Sequence, residues 1–155
     1  MKKINLIIFI LSIFPVAADD LINENKIKKL HPSYQEDAYV VTFQGNPNSF
    51  ILKDIKIKKP KARTLKKLKF INDDDEFAIK VLDKNGAELI AIGIGNPFYA
   101  TYEHIGYEDR LYMGGPVSSA SIEIAIPLEF KPALFIVSKR DNIGNFNDFQ
   151  EILIP

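Results

Sequence analysis

Hydrophobic and polar positions alternate in short runs along most of this chain, and residues that favour turns separate the runs. The clearest case is Phe77 to Ile94, where two apolar arms flank Asp83-Lys84-Asn85-Gly86. Asp and Asn side chains bond their own backbone, and Gly takes positive φ without steric cost. A type I turn closed by Gly86 in the left-handed region predicts a tight hairpin with a one-residue bulge. Phe77, Ile79 and Val81 share one parity and line one face of the first arm. The second arm, Leu89 to Ile94, is apolar at nearly every position, as expected for a strand covered on both sides or lying centrally in a sandwich.

The same reading extends in both directions. Ala38 to Phe43 is β-branched and aromatic and predicts a strand, followed by a loop over Gln44 to Ser49. Phe50 to Lys59 alternates, with Ile55 and Ile57 on one face and Asp54, Lys56 and Lys58 on the other; Pro60 ends it or marks it as an edge. Lys61 to Lys69 fits a loop or a strand, and Asn72 to Glu76 an acidic turn. Tyr99 to Tyr112 has aromatics without a clear period, and Met113-Gly114-Gly115-Pro116 is expected to be irregular. Ser121 to Pro127 alternates cleanly, with Ile122, Ile124 and Ile126 inward and Glu123 and Ala125 outward. Ala133 to Ser138 and Phe149 to Ile154 are further strands, joined by a turn-rich connector. Seven to eight short strands without a long helix imply an all-β fold, an antiparallel β-sandwich of immunoglobulin-like size. A small closed barrel is the alternative.

Met1 to Ala18 reads as a secretory signal peptide. Lys2 and Lys3 precede the apolar Ile4 to Phe14, and Val16-Ala17-Ala18 puts small residues before Asp19. The apolar run is shorter than the ~20 residues a membrane span needs. Residues 19–33 are expected to form a polar N-terminal tail, with a weak helical turn before His31-Pro32, and residues 34–155 one domain. The 137 residues after cleavage suffice for a core of their own. That core forms without disulfides, since the chain has no cysteine. Cysteine-free export favours a bacterial periplasm or exterior. Loss of Lys2 and Lys3 leaves 18 basic against 20 acidic residues, so no global field points to nucleic acid or membrane.

Candidate chemistry is sparse. His31 and His104 are the only histidines, and no nucleophile elbow of the G-x-S-x-G kind accompanies Ser118, Ser119 or Ser121. No ligand spacing for zinc is present, and no cofactor is expected. Asp73, Asp74, Asp75 and Glu76 offer oxygen ligands of the type Ca²⁺ takes, but without the alternation and central Gly of an EF-hand loop. The plainer reading is a solvated turn.

Lys53 to Lys69 concentrates nine basic residues: Lys53, Lys56, Lys58, Lys59, Lys61, Arg63, Lys66, Lys67 and Lys69. These suit phosphate contacts or, more simply, defence of a sheet edge against aggregation. Phe98, Tyr99, Tyr102, Glu103, His104, Tyr107, Arg110 and Tyr112 crowd one segment. Tyrosines give stiff contact area with a polar tip, so this segment is either a surface for a protein partner or glycan, or a cover over the end of the core.

From the hairpin onward the chain resembles the N-terminal β-sandwich domain of the IgA-specific metallopeptidase family. The resemblance is carried by Phe77, Val81, Asp83, Gly86 and Leu89, then Phe98 and Glu103, then Ile124, Ile126 and Pro127, then Val137-Ser138-Lys139-Arg140-Asp141 and Phe146 or Phe149. It spans about half of the chain. The family's Trp after the Glu is replaced by His104, and no H-E-x-x-H occurs. The resemblance therefore implies an accessory sandwich and not a protease. The expected function is that of an exported, non-enzymatic binding protein of the bacterial envelope, periplasmic or secreted, acting through a protein partner. A carbohydrate-binding module is the alternative, and a hydrolase using His104 the third. N-terminal sequencing of the exported product is expected to begin at Asp19; a product that keeps Met1 to Ala18 overturns the signal-peptide reading.

Overall fold

A computed structural model describes residues 36–67, 69, 71–103 and 112–155. Within them lie nine strands: β1 (Ala38–Asn46), β2 (Ser49–Lys58), β3 (Phe77–Leu82), β4 (Glu88–Gly95), β5 (Tyr99–Glu103), β6 (Tyr112–Pro116), β7 (Ala120–Pro127), β8 (Leu134–Arg140) and β9 (Phe146–Leu153). One short α-helix, α1 (Ala62–Lys67), and a 3₁₀ turn over Leu128–Phe130 interrupt them. The strands form a three-stranded sheet β2-β1-β7, a four-stranded sheet β4-β3-β8-β9 and a two-stranded ribbon β5-β6, all antiparallel. This is an all-β sandwich. The anticipated signal peptide, N-terminal tail and His31 lie outside the described residues.

Alternation explains the core. Val41, Phe43, Ile122, Ile124 and Ile126 face inward from the first sheet, and Phe77, Ile79, Val81, Phe135 and Val137 from the second; all are buried. Phe43 meets Phe135 edge-on across the layers, with centroids 5.2 Å apart. Phe50, Phe77, Phe98 and Phe149 close one end as a cluster of tilted rings.

Both hairpins of the larger sheet turn on the same device. Gly86 N–H donates to Asp83 O at 3.1 Å and Gly86 has φ +78°, as the sequence predicts. Asp141 to Asn145 repeats the pattern, with Gly144 at φ +94°. In each turn the Asp Oδ1 accepts two backbone N–H groups, from Asn85 and Ala87 in one and from Ile143 and Asn145 in the other. The N–H of Ala87 and then that of Asn85 hold the Asp83 carboxyl below the usual carboxylate range, and chiefly the N–H of Asn145 does the same for Asp141.

Several sequence expectations need correction. The expected loop over Gln44 to Ser49 shrinks to Pro47-Asn48, because β1 runs to Asn46 and β2 starts at Ser49. Nine strands lie among the described residues, against the seven to eight expected. Lys61 to Lys69 contains α1, whose Leu65 is buried, in place of a loop or strand. Met113 to Pro116 is not irregular but belongs to β6. Ala125 points away from the space between the sheets yet is buried, because α1 and its approach pack over that face.

At the side where β2 and β9 meet, the two sheets are clasped by one amide. Phe50 N–H donates to Gln150 Oε1 at 2.7 Å, and Gln150 Nε2 donates to Phe50 O at 2.6 Å. On the outer face of the larger sheet, Asp148 accepts from Lys80 at 2.7 Å and from the buried Ser138. Partial burial works against ionisation of Asp148, but the Lys80 and Ser138 bonds outweigh it and hold its carboxyl low.

Carboxylates with depressed folded-state pKa values stabilise the fold above their unfolded value of about 3.9, and that stability is lost as pH falls through the folded value. Asp141→Asn keeps an acceptor oxygen in the turn but removes its titration. Acid unfolding of this variant, followed by circular dichroism, is expected to be shallower below about pH 4 than that of the wild type.

Candidate functional site

The acidic turn is built around Asp75, which is 0% exposed. Asp75 N–H donates to Asn72 O, and Asn72 N–H donates back to Asp75 Oδ2 at 2.9 Å. Asp75 Oδ1 accepts from the N–H of Gly95 at 2.7 Å and meets Lys69 Nζ at 2.9 Å. A Cβ on Gly93 would lie 2.1 Å from Asp75 Oδ2, so only glycine lets β4 pass. Arg140 secures the other side: its Nε donates to Asp75 O at 2.7 Å, its Nη1 to Gly144 O and its Nη2 to Asn72 O. The guanidinium lies over the Phe146 ring, 4.4 Å from the centroid.

This geometry corrects two expectations. The turn is not simply solvated, since Asp75 is a buried structural group. Nor is Asp75 available as a metal ligand, because its oxygens already hold two backbone N–H groups and an ammonium. Asp73, Asp74 and Glu76 line a shallow depression of about 340 Å³ with Lys139 and Arg140, whose charges oppose a cation there. Among the described residues no group of three His, Cys, Asp or Glu converges to hold a metal.

The basic run does not form one patch. Lys56 pairs with Asp54 at 2.7 Å on the outer side of edge strand β2, where Lys53 and Lys58 are also exposed. Lys59, Lys61 and Arg63 are exposed around the start of α1, whose last residues are Lys66 and Lys67. Lys69 is turned to Asp75.

The aromatic segment divides as well. Phe98 is only 4% exposed and packs on Phe50 and Phe77, so it belongs to the core and not to a contact surface. Tyr99 is 53% exposed. Its ring lies across Gly114, where a Cβ would come within 2.5 Å of the ring carbon Cε1. Tyr102, Glu103 and Tyr112 are paired within the ribbon, Tyr102 opposite Met113 and Glu103 opposite Tyr112. His104, Tyr107 and Arg110 lie outside the described residues.

Beside Tyr99 a cleft of about 510 Å³ opens between β4 of one sheet and β7 of the other, the side opposite the Gln150 clasp. Lys69, Ile92, Tyr99, Ser121, Ile122 and Ile124 are among its walls. Glu123, also in the lining, accepts from Thr64 Oγ1 of α1. The two charged side chains of the cleft are thus both engaged, and its floor is apolar. The sequence reading missed this cleft. The available signal was the contrast between Ser121 to Pro127, alternating with a single charge, and the lysine-laden β2.

Asp75→Ala is expected to lower unfolding stability by about 3 kcal/mol, because two backbone donors lose their acceptor and Lys69 its partner. Lys69→Met is expected to cost less, about 1 kcal/mol, since that ammonium is 42% exposed and solvent screens it. Urea titration measures both, and equal losses would contradict the central place given to the carboxylate. No family model, curated protein or solved structure matches the chain, so its function is read from this geometry.

Proposed function

We propose that this chain is an exported, non-enzymatic β-sandwich that works by binding a protein partner at the bacterial cell envelope, an accessory role of the kind its family resemblance implies. Export rests on the charged, apolar and small-residue pattern of Met1 to Ala18. Binding rests on one observation above the others: Tyr99 is exposed at the mouth of an apolar cleft, and Gly114 seats its ring. A held aromatic ring loses little conformational freedom on association, which is why such residues dominate contact energies at protein surfaces. Lys69 and Glu123 hold neighbouring groups, so the cleft has recognition surface but no idle acid or base.

A carbohydrate-binding module is the second reading, because an exposed ring seated against a glycine suits stacking on a sugar. Tyr102 and Tyr107 follow Tyr99 in the stretch that the sequence leads one to expect at the contact.

The triple variant Tyr99→Ala, Tyr102→Ala, Tyr107→Ala is expected to weaken partner capture from native envelope by about tenfold or more while melting as the wild type does. Undiminished capture sinks the assignment. Loss of signal on a glycan array, with protein capture unchanged, selects the carbohydrate reading.

A further inference from the structure

We propose that Ile143, at the tip of the β8–β9 turn, is an anchor that enters an apolar pocket of the partner, and that basic groups rim this pocket. The inference rests on the protein-binding reading above and adds a second contact to Tyr99.

The two turns of the larger sheet form an internal comparison. One is Asp83-Lys84-Asn85-Gly86-Ala87 and the other Asp141-Asn142-Ile143-Gly144-Asn145. In both, the Asp N–H donates to the carbonyl of the fifth residue, and the Gly N–H donates to the Asp carbonyl. In both, the Asp Oδ1 accepts from the third and fifth N–H groups. The backbone bonds are thus the same, and what differs is the side chain at the third position. One turn carries Asn85 there, a residue of the kind that turns favour. The other carries Ile143, which is 82% exposed, more than any other large apolar side chain among the described residues.

Neither turn chemistry nor burial accounts for this choice. Isolated exposed apolar residues are common, but the others have a setting of their own. Ile51 and Ile57 lie in β2, where branched side chains suit the pleat. Leu153 stands opposite Leu134 in the β8–β9 pair. Ile143 is a β-branched residue held in a turn and in water. Positions that break local rules in this way concentrate at functional sites.

The tip is held before any partner arrives. Arg140 Nη1 donates to Gly144 O at 3.0 Å, and Asn147 Nδ2 to Asp141 Oδ2 at 3.0 Å. An anchor fixed in advance loses little freedom on association. Ile143 also stands at the same end of the sandwich as Tyr99. Arg140 ties its turn to the Asn72 to Glu76 turn, and Glu76 accepts from Asn96 Nδ2, whose own carbonyl takes the Tyr99 N–H.

Charge selects the partner. Around the turn Asp73, Asp74, Glu76 and Asp141 outnumber Lys139 and Arg140, while Asp75 is matched by Lys69. Basic groups spread around the partner's pocket meet this field favourably. An anionic lipid surface does not, nor does the same turn of a second copy.

The test uses the full exported chain in its native envelope, with benzoylphenylalanine in place of Ile143 and, in a second sample, in place of Asn85. Irradiation is expected to link the partner from position 143 with a yield about tenfold or more above that from position 85. Mass spectrometry is expected to find the link on apolar residues with Lys or Arg beside them. Equal yields, or links to polar surface, overturn the proposal. Ile143→Asn, which copies the Asp83 turn, is expected to weaken capture of the partner so identified by about tenfold without lowering the melting temperature. Undiminished capture overturns the proposal. So does wild-type binding to phosphatidylglycerol vesicles that Ile143→Asn abolishes, or a dimer in sedimentation that it dissociates. If the triple tyrosine variant loses the partner while Ile143→Asn keeps it, the binding function stands and the anchor fails; if both keep it, both fail.

Discussion

A carboxylate removed from water is the constraint on which much of this sandwich depends. Burying the charge of Asp75 is costly unless donors replace its lost hydration. Here two backbone N–H groups and an ammonium do so. The arrangement binds the turn before β3 to the end of β4, while Arg140 binds the same turn to β8 and to the Asp141 turn. One polar centre thus sets the relative positions of three strands of the larger sheet. It also sets one wall of the cleft, because Lys69, Gly93 and Gly95 belong to both. Gly93 is dictated by this centre and not by its strand, since any side chain would enter the carboxylate's space.

What was legible beforehand follows from what is local. The Asp83 to Gly86 turn is chemistry contained within a few neighbouring residues, and Ile122, Ile124 and Ile126 state their inward face by parity. Asp75 was not legible. Four acids in a row look alike until the fold turns one of them inward, and the residues that receive it are 20 positions ahead at Gly95 and six behind at Lys69. Met113-Gly114-Gly115-Pro116 misleads for a related reason. Glycines weaken a strand by entropy, yet Gly114 is the position that the Tyr99 ring covers across the ribbon. The α1 segment is too short to show a period, and its one apolar anchor, Leu65, acquires meaning only once Ala125 lies beneath that face.

The aromatic segment divides in the same way. Phe98 and Tyr99 are adjacent and similarly large, but a strand sends neighbours to opposite sides. One therefore completes the ring cluster with Phe50 and Phe77, and the other stands in solvent. Composition alone left open whether both meet a partner or cover the end of the core.

The clasp between Phe50 and Gln150 joins the layers with a neutral side chain, where many sandwiches of this size use a covalent bridge. An amide has no reduction potential and does not titrate in water. Its hold on the two layers is therefore the same in oxidising and reducing surroundings and at acid or neutral pH. A chain built this way can close wherever it emerges, without an oxidase or an isomerase to finish it.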